Sequence, residues 1–350
     1  EHAARTIDRS LRTGAHGLPL MGGGDWNDGM NRVGDGGRGE SVWLAWFLCA
    51  IVTDWLPLAR DQGDLDRVQR WDAALTGWRS ALDNQAWDGD WYLRAFFDDG
   101  SPLGSHTMQE CRIDLIAQAW AVLSQAAPPE RAAQAMQAAH QELTDLRLGL
   151  IKLLAPPLQH QVPSAGYIQS YPPGVRENGG QYSHAGVWAL MAMAQLHREA
   201  GSDLPYRYFC DLSPAHRSAD PVQGPVYGLE PYAMAGDVYG APPYAGRGGW
   251  SWYTGSAAWM YRAATESIFG LEFGPQRAVA DDGEFQSLAQ GGQAFAQQGE
   301  GGHQAAVVLD VLHPRHGADH DVVRAPWRGA ARVRARLEAL GVDPVLDQVV

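Results

Sequence analysis

Six stretches of the chain carry apolar residues at helical spacing, and no stretch of similar length shows the two-residue alternation of a strand. This pattern predicts an all-α protein. The predicted helices cover residues 40–60, 65–83, 107–125, 129–154, 184–200 and 254–270.

The third predicted helix has the clearest pattern. Its apolar face carries Ile113, Ile116, Trp120 and Leu123. Thr107, followed three residues later by Glu110, predicts a capping box at the start of this helix. Pro128 and Pro129 predict its end, and Glu130 predicts the first turn of the next helix.

The connections between the predicted helices differ in length. The turn at 127–129 is short, whereas the connections 13–40, 84–106, 155–183 and 221–253 are long and rich in Gly, Pro and Tyr. An α/α barrel or toroid has this organisation, because tight turns lie at one end and functional loops at the other. A helical solenoid is not favoured, because the sequence shows no repeat of fixed period.

The character of the sequence changes near Pro275. Residues 286–305 are mostly Gln, Gly and Ala, and residues 313–335 are rich in Arg, His and Asp. We therefore predict a helical domain over residues 1–274 and a divergent, loosely structured segment over residues 275–350.

Composition and charge narrow the class of protein. Hydrophobic residues make up 45% of the chain, which permits a large core. The net charge of −13 argues against nucleic acid or an anionic membrane as the main partner. The three cysteines are widely spaced and form no CxxC pair. This spacing favours buried, reduced thiols and a cytoplasmic location.

The sequence predicts neither a membrane-spanning segment nor a signal peptide. The apolar run at 42–52 is shorter than the roughly 20 residues that cross a bilayer, and Asp54 and Pro57 close it. The first residue is Glu1 rather than Met, so we expect the chain to be a piece of a longer protein.

Residues 22–31, GGGDWNDGMN, place two carboxylates and an indole on a glycine-rich loop. The loop does not fit an EF-hand, because the sixth and twelfth positions from Asp25 are Met30 and Gly36. A plain turn explains the glycines and Asn27 but not Trp26. The chain has 14 tryptophans; indole rings stack on sugars, although most of these residues are expected to fill the core.

Two further glycine-rich loops run into predicted helices. Residues 166–188 contain Arg176 and lead to Ser183 and His184, and residues 246–262 contain Arg247 and lead to Thr254. Helix N-termini present free N–H groups and bind anions. A free phosphate or sugar phosphate is favoured over a nucleotide, because neither loop has the GK[ST] of a P-loop. Alternatively, Ser183 and Thr254 are helix caps and His184 is a core histidine.

Histidines also cluster near the C-terminus, at His313, His316 and His320. They could bind a metal, but the surrounding segment offers no evident scaffold. We therefore predict no metal site.

Four segments together resemble glycoside hydrolase family 94, which includes the cellobiose and chitobiose phosphorylases. They are GAHGLPLMGGGDWNDGMNRVG, ECRIDLIAQAWAVLS, GYIQSYPPGVRENGGQYSHAGVWA and GRGGWSWYTGSAAWMYR. The resemblance covers about residues 1 to 272 in colinear order. It is strongest to the phosphorylase-like C-terminal domain of the bacterial cyclic β-1,2-glucan synthases.

The resemblance implies an (α/α)6 barrel and an inverting phosphorolysis of β-linked glucans, with β-1,2-glucan expected and α-glucose 1-phosphate released. Inorganic phosphate is the co-substrate, and no other cofactor is implied. The implied site residues are Asp28 as general acid, His184, Thr254 and Gly255 as phosphate ligands, and Trp26, Tyr171 and Arg176 as sugar contacts.

The residues fit this chemistry. An inverting hydrolase needs two carboxylates about 6.5–9.5 Å apart, whereas phosphate is already an anionic nucleophile and needs only the acid. Asp28 must carry a proton to act, which burial and the nearby phosphate charge favour. We expect Asp25 to have a structural role.

The resemblance also implies missing parts. The family's barrel begins upstream of these motifs, so the chain should hold about the C-terminal half of the barrel, and the rest of the same protein would complete it. The cyclic glucan synthases are inner-membrane proteins with this domain on the cytoplasmic side. Two other functions stay open: a water-using glycoside hydrolase with Glu177 or Glu230 as base, and a non-catalytic glucan-binding fragment.

Overall fold

The computed structural model describes residues 1–270 except 199 and 201. Residues Glu1–Ile268 form one compact unit. The predicted segment 275–350 and its histidines at 313, 316 and 320 lie outside the described residues. Within the described part, helices dominate, which agrees with the predicted all-α class.

The helices begin and end as follows: α1 His2–Ser10, α2 Val42–Asp61, α3 Leu65–Gln85, α4 Leu115–Leu123, α5 Pro129–Leu143, α6 Ser183–Leu196, α7 Leu204–Leu212, α8 Pro214–Ala219, α9 Gly224–Tyr227 and α10 Thr254–Arg262. A π-helix, Ala263–Ile268, continues α10, and short 3₁₀ helices cover Asp28–Met30 and Tyr167–Ser170.

The strands are two residues long and pair antiparallel: β1 Glu40–Ser41, β2 Ala95–Phe96, β3 Pro102–Leu103, β4 Ile113–Asp114, β5 Thr144–Asp145, β6 Leu150–Ile151, β7 Leu154–Ala155, β8 Gln181–Tyr182 and β9 Asp237–Val238. The sheet orders are β1-β2-β3, β4-β7, β5-β6 and β8-β9. Two of these pairs join long connections to one another: β1–β2 joins 13–40 to 84–106, and β8–β9 joins 155–183 to 221–253. In the last pair, Tyr182 lies opposite Asp237.

The helices form two layers. One layer, called the inner layer here, consists of α2, α4, α6 and α10, which contact one another in that order. The other, the outer layer, consists of α3, α5 and α7, which pack against α2, α4 and α6 respectively. Most of the hydrophobic core consists of side chains from these helices, including the large buried side chains of Trp46, Trp71 and Trp78. This arrangement explains why short turns join each helix to its outer neighbour, whereas long loops lead back to the next inner helix.

The inner helices begin at the same end of this unit. Ser41 and Asp114 precede α2 and α4, and both lie beside the Arg94 side chain, at 3.5 and 3.4 Å. Tyr182 and Tyr253 precede α6 and α10, and their rings are 6.0 Å apart. Helix N-termini and long loops therefore share one end of the fold, as the alternation of connection lengths predicts.

The expected capping box at Thr107 is wrong. The helix begins at Leu115, and the Asp114 side chain accepts from the Ile116 amide as its cap. Glu110 instead accepts hydrogen bonds from the backbone amides of residues 159–161. The Glu110 carboxylate therefore stabilises the loop at 159–161 instead of capping a helix at Thr107.

The predicted helix 129–154 is too long. The structure ends α5 at Leu143 because the next residues form the β5–β6 hairpin. Asp145 accepts from the amides of Arg147 and Leu148, and Gly149 adopts φ +58°. An acceptor side chain followed by a left-handed glycine makes a turn that competes with the helical pattern.

Helix α2 is long and apolar enough to cross a membrane by length and composition alone, and half of its most apolar stretch is buried in the protein. It continues through Asp54 and Pro57, which were expected to end the apolar run. It packs against α3 and α4. A core helix of this length passes the same test as a membrane span.

Candidate active site

A buried ion pair fixes the loop that carries the two aspartates. Arg94 donates two hydrogen bonds to Asp25, of 2.6 and 2.7 Å, and neither side chain is exposed. Ser41 donates to the same carboxylate at 2.6 Å, and Asp25 accepts from the Asn27 amide at 2.9 Å. These contacts agree with the structural role expected for Asp25.

Asp28 begins the 3₁₀ helix that follows. Asn27 caps this helix by accepting from the Gly29 amide at 3.2 Å. The expected burial of Asp28 is wrong: the residue is exposed. The neighbouring 3₁₀ helix brings Tyr167 beside it, and burial together with a hydrogen bond to the Asp28 carboxylate raises the pKa of Tyr167 to about 12.

Asp28 lies on a cavity of about 380 Å³, lined by Trp26, Asp28, Glu177, Tyr182, His184 and Tyr253. Three predicted site residues, Trp26, Asp28 and His184, therefore meet here. A more open cleft of about 520 Å³ lies between α3 and the turn at 127–129 and contains none of the predicted site residues. The smaller cavity is the better candidate because the functional side chains converge on it.

His184 is not a core histidine with satisfied nitrogens. Both ring nitrogens are buried, and neither has a hydrogen-bond partner in the described part of the chain. Its ring lies 4.4 Å from Trp188 and 5.5 Å from Trp26, between centroids. Burial lowers its pKa to about 4, so the ring is neutral near pH 7. An unpaired buried polar group on a cavity is costly unless a ligand pairs with it.

The proposed cap roles of Ser183 and Thr254 are also wrong. Each is the first residue of its helix, and among the described residues no side chain caps α6 or α10. The preceding residues are tyrosines, Tyr182 and Tyr253, which both line the cavity. The Ser183 amide of α6 donates to the Gly236 carbonyl at 2.9 Å. The first turn of α10 has no side-chain cap among the described residues, so its amides are available for a ligand.

Thr254 and Gly255 do not line the cavity themselves. Thr254 is exposed and follows directly on Tyr253, whose ring lies 6.3 Å from that of His184. The N-terminus of α10 is therefore next to the cavity.

Tyr171 and Arg176 do not line the cavity, but they contact each other, and Arg176 lies 3.7 Å from Glu177, which does line it. The Arg176 guanidinium lies between two rings, 5.0 Å from Tyr171 and 4.7 Å from Trp250. Arg176 has φ +54°, which is uncommon for a residue with a side chain. The buried Asp237 accepts from its backbone amide at 2.6 Å and holds this conformation.

The two carboxylates weighed as hydrolytic bases differ in position. Glu177 lines the cavity with Asp28, and burial raises its pKa although Arg176, at 3.7 Å, opposes the shift. Glu230 does not line the cavity and accepts a hydrogen bond from the exposed Trp252. Of the two, the structure brings only Glu177 to the site.

Sequence reasoning missed Tyr167, Tyr182, Tyr253 and Trp250. The sequence did contain an indication for Tyr182 and Tyr253, because each directly precedes residues assigned to an anion site. Both are helix N-cap residues, where Ser, Thr, Asp or Asn is usual. Tyr167 and Trp250 are placed by contacts between distant loops and had no such signal.

The depressed pKa of His184 predicts a pH-dependent stability. The unfolded chain protonates this ring below about 6.5, whereas the folded protein does so only near 4, so stability present above pH 6.5 is lost as the pH falls towards 4. The loss is at most about 3 kcal/mol, at about 1.4 kcal/mol per pH unit. Urea unfolding at pH 7 and pH 4.5 should show a smaller loss in His184→Gln than in the wild type. Equal losses would contradict the assignment.

Comparison with known proteins identifies the family. A family model described as the glycosyl hydrolase 94 superfamily, catalytic domain, matches residues 1–270. The chain is 49% identical over 272 residues to the cyclic beta-(1,2)-glucan synthase NdvB of Rhizobium meliloti, a match covering 77% of this chain and 10% of that protein.

Two phosphorylases are also similar. The solabiose phosphorylase of Paenibacillus borealis is 37% identical over 74% of this chain and 33% of its own length. The N,N'-diacetylchitobiose phosphorylase of Vibrio furnissii is 32% identical over 73% of this chain and 31% of its own length. The chain thus spans about a third of these phosphorylases and a tenth of the synthase.

The match covers the cavity and every residue that lines it, because all of them precede residue 270. The resemblance inferred from the four sequence segments is confirmed. The chain belongs to the catalytic-domain family of the glycosyl hydrolase 94 superfamily.

Proposed function

We propose that this chain is part of an enzyme that phosphorolyses β-linked glucans with inversion and releases α-glucose 1-phosphate. The observation that carries the proposal is His184, whose two unpaired ring nitrogens lie on the same cavity as the Asp28 carboxylate. This combination offers one acid and one neutral hydrogen-bonding group for an anion. The likeness to two phosphorylases supports the choice of phosphate as that anion.

In the proposed reaction Asp28 donates its proton to the glycosidic oxygen as the bond from this oxygen to the anomeric carbon breaks. A phosphate oxygen forms the new bond to that carbon from the opposite face, so its configuration inverts. His184, Thr254 and Gly255 hold the phosphate. Two features support this: the neutral ring costs no charge to bury, and the uncapped N-terminus of α10 presents free amides.

The sugar contacts are assigned to Trp26, Tyr171 and Arg176. Trp26 lines the cavity and is held by ring contacts to Tyr182 and Trp188, with centroids 5.4 and 5.3 Å apart. Ring faces and planar guanidinium groups bind the apolar faces and hydroxyls of sugars. The contacts of Arg176 with two rings suit a sugar contact, because little conformational entropy of this side chain remains to be lost on binding.

The likeness to the cyclic beta-(1,2)-glucan synthase supports β-1,2-glucan as the substrate and a synthase-like protein as the parent. The two helical layers support an (α/α)6 barrel, of which this chain supplies the C-terminal half and the rest of the protein the remainder. A cytoplasmic location is part of the proposal. It is supported by three free cysteines, of which Cys49 and Cys111 are buried and Cys210 is partly exposed.

A hydrolase is the second candidate because Glu177 shares the cavity with Asp28. Two carboxylates on one cavity could serve as acid and base, with water in place of phosphate. This candidate predicts that Glu177→Gln abolishes turnover and that phosphate is not required.

Proton NMR of the full-length protein with short β-1,2-gluco-oligosaccharides, with and without inorganic phosphate, tests the proposal. We expect α-glucose 1-phosphate to appear only with phosphate. Free glucose without phosphate would support the hydrolase instead. Binding of the oligosaccharide without either product would indicate a glucan-binding protein and contradict the proposal.

A further inference from the structure

Arg94 is a fully buried cation that joins three separate parts of the fold. It pairs through two hydrogen bonds with Asp25 on the aspartate loop. Its Nη1 atom also lies 3.5 Å from the hydroxyl of Ser41, which caps α2. Its Nε lies 3.4 Å from Asp114, which caps α4. One guanidinium thus fixes the aspartate loop to the N-termini of two inner helices.

The pair with Asp25 is the tight contact of this cluster, because it has two parallel bonds of 2.6 and 2.7 Å. The contact with Asp114 is an ion pair without a hydrogen bond, since both the Arg94 Nε and one Asp114 oxygen lack such a partner in the described chain. Burial raises the pKa of Asp114 to about 6, although Arg94 opposes the shift. Loss of the Asp114 charge should therefore disturb the loop little.

A chain of bonds leads from Arg94 to the proposed acid. Asp25 accepts from the Asn27 amide, and the Asn27 side chain accepts from the Gly29 amide. Asp28 lies between these two bonded residues. Asp28 is exposed, and its carboxylate accepts a hydrogen bond from Tyr167. The position from which its side chain leaves the loop is set by the backbone on either side.

We infer that Arg94 is a positioning residue for Asp28, acting through Asp25 and the Asn27 turn. The inference rests on the proposed function, in which Asp28 donates the proton. A fork of fixed geometry is needed for this role, and Lys cannot replace it because its ammonium group is a single point charge. A displacement of about 1 Å at a reacting group costs about a hundredfold in rate.

The test compares Arg94→Lys with Asp114→Asn in the full-length protein. Asn at 114 keeps an oxygen to cap α4 and perturbs the same buried cluster, but does not touch the aspartate loop. We expect Arg94→Lys to lower kcat by 10- to 100-fold, with KM for oligosaccharide and for phosphate within threefold of the wild type. Asp114→Asn should keep kcat within threefold.

Hydrogen exchange of the Asn27 and Gly29 amides provides a measurement that does not depend on turnover. We expect exchange at least tenfold faster in Arg94→Lys and little changed in Asp114→Asn. If the wild type shows no phosphorolysis, the proposed function fails, while the exchange rates still decide whether Arg94 fixes the loop.

Unchanged kcat or unchanged exchange in folded Arg94→Lys would overturn the inference, as would equal kcat losses in both variants. If Arg94→Lys does not fold, Asp25→Asn takes its place. It keeps the acceptor oxygen for Asn27 but loses the charged fork pairing. It should show the same fall in kcat, and its absence would likewise overturn the inference.

Discussion

Replacing Asp28 with Asn should lower kcat for phosphorolysis by about 10³-fold or more, while the oligosaccharide still binds. General acids contribute typically 10²–10⁴-fold, and a sugar oxygen is a poor leaving group without a proton. Asn keeps the size and polarity of Asp, but its amide has no acidic proton to transfer. Steady-state rates in the phosphorolytic direction, together with calorimetric binding of the oligosaccharide, measure the two parts separately.

An aryl β-glucoside with an acidic phenol as leaving group makes this test specific. Such a phenolate leaves without a proton, so Asp28→Asn should retain most of the wild-type rate on it. The control is Asp66→Asn, which removes an exposed carboxylate paired with Arg70 on α3. It should behave as the wild type on both substrates. A loss at position 28 that is equal on both substrates would argue against the role of acid.

Replacing His184 with Ala should raise KM for phosphate by about 10- to 100-fold and change KM for the oligosaccharide much less. Both ring nitrogens are unpaired in the structure, so a bound phosphate would satisfy at least one of them. Hydrogen bonds to charged groups contribute about 1.5–3 kcal/mol, and every 1.4 kcal/mol is tenfold in affinity. Initial rates over a phosphate series at saturating oligosaccharide provide the measurement.

His140 on α5 gives a matched control. It is also partly buried and has a lowered pKa, mainly because of burial. Its Nδ1, however, already contacts the Tyr208 hydroxyl at 3.0 Å. His140→Ala should therefore leave KM for phosphate unchanged. Similar increases at both positions would mean that the effect comes from loss of packing and that His184 is no phosphate ligand.

The sequence was informative where side chains pack in regular helices. Helices α2, α3 and α6 lie close to their predicted bounds because their apolar spacing is also the spacing of their contacts. It was misleading at Thr107 and beyond Leu143, where a loop-holding carboxylate and a hairpin turn override the local pattern. In both places the deciding contacts are with residues about 5 to 50 positions away in the chain. The spacing of apolar residues within one segment carries no information about such contacts.

The site was predictable to a similar extent. Trp26, Asp28 and His184 come together as expected because each lies in a segment with a distinctive local composition. The exposure of Asp28, the ring of Trp250 over Arg176 and the pairing of Arg94 with Asp25 were not predictable from single segments. Each depends on how the long loops cross one another at the end of the helical layers.

The separation of tight turns from long loops has a consequence for how such enzymes diversify. Insertions or substitutions at exposed positions of 13–40, 155–183 or 221–253 change the surface around the cavity without altering the helices, because the residues that line it, apart from His184, lie in these three connections. Relatives named for solabiose and for N,N'-diacetylchitobiose share about a third of their residues with this chain over the same span. New sugar preferences can therefore evolve within the loops, while the helices that anchor them stay under the separate constraint of folding.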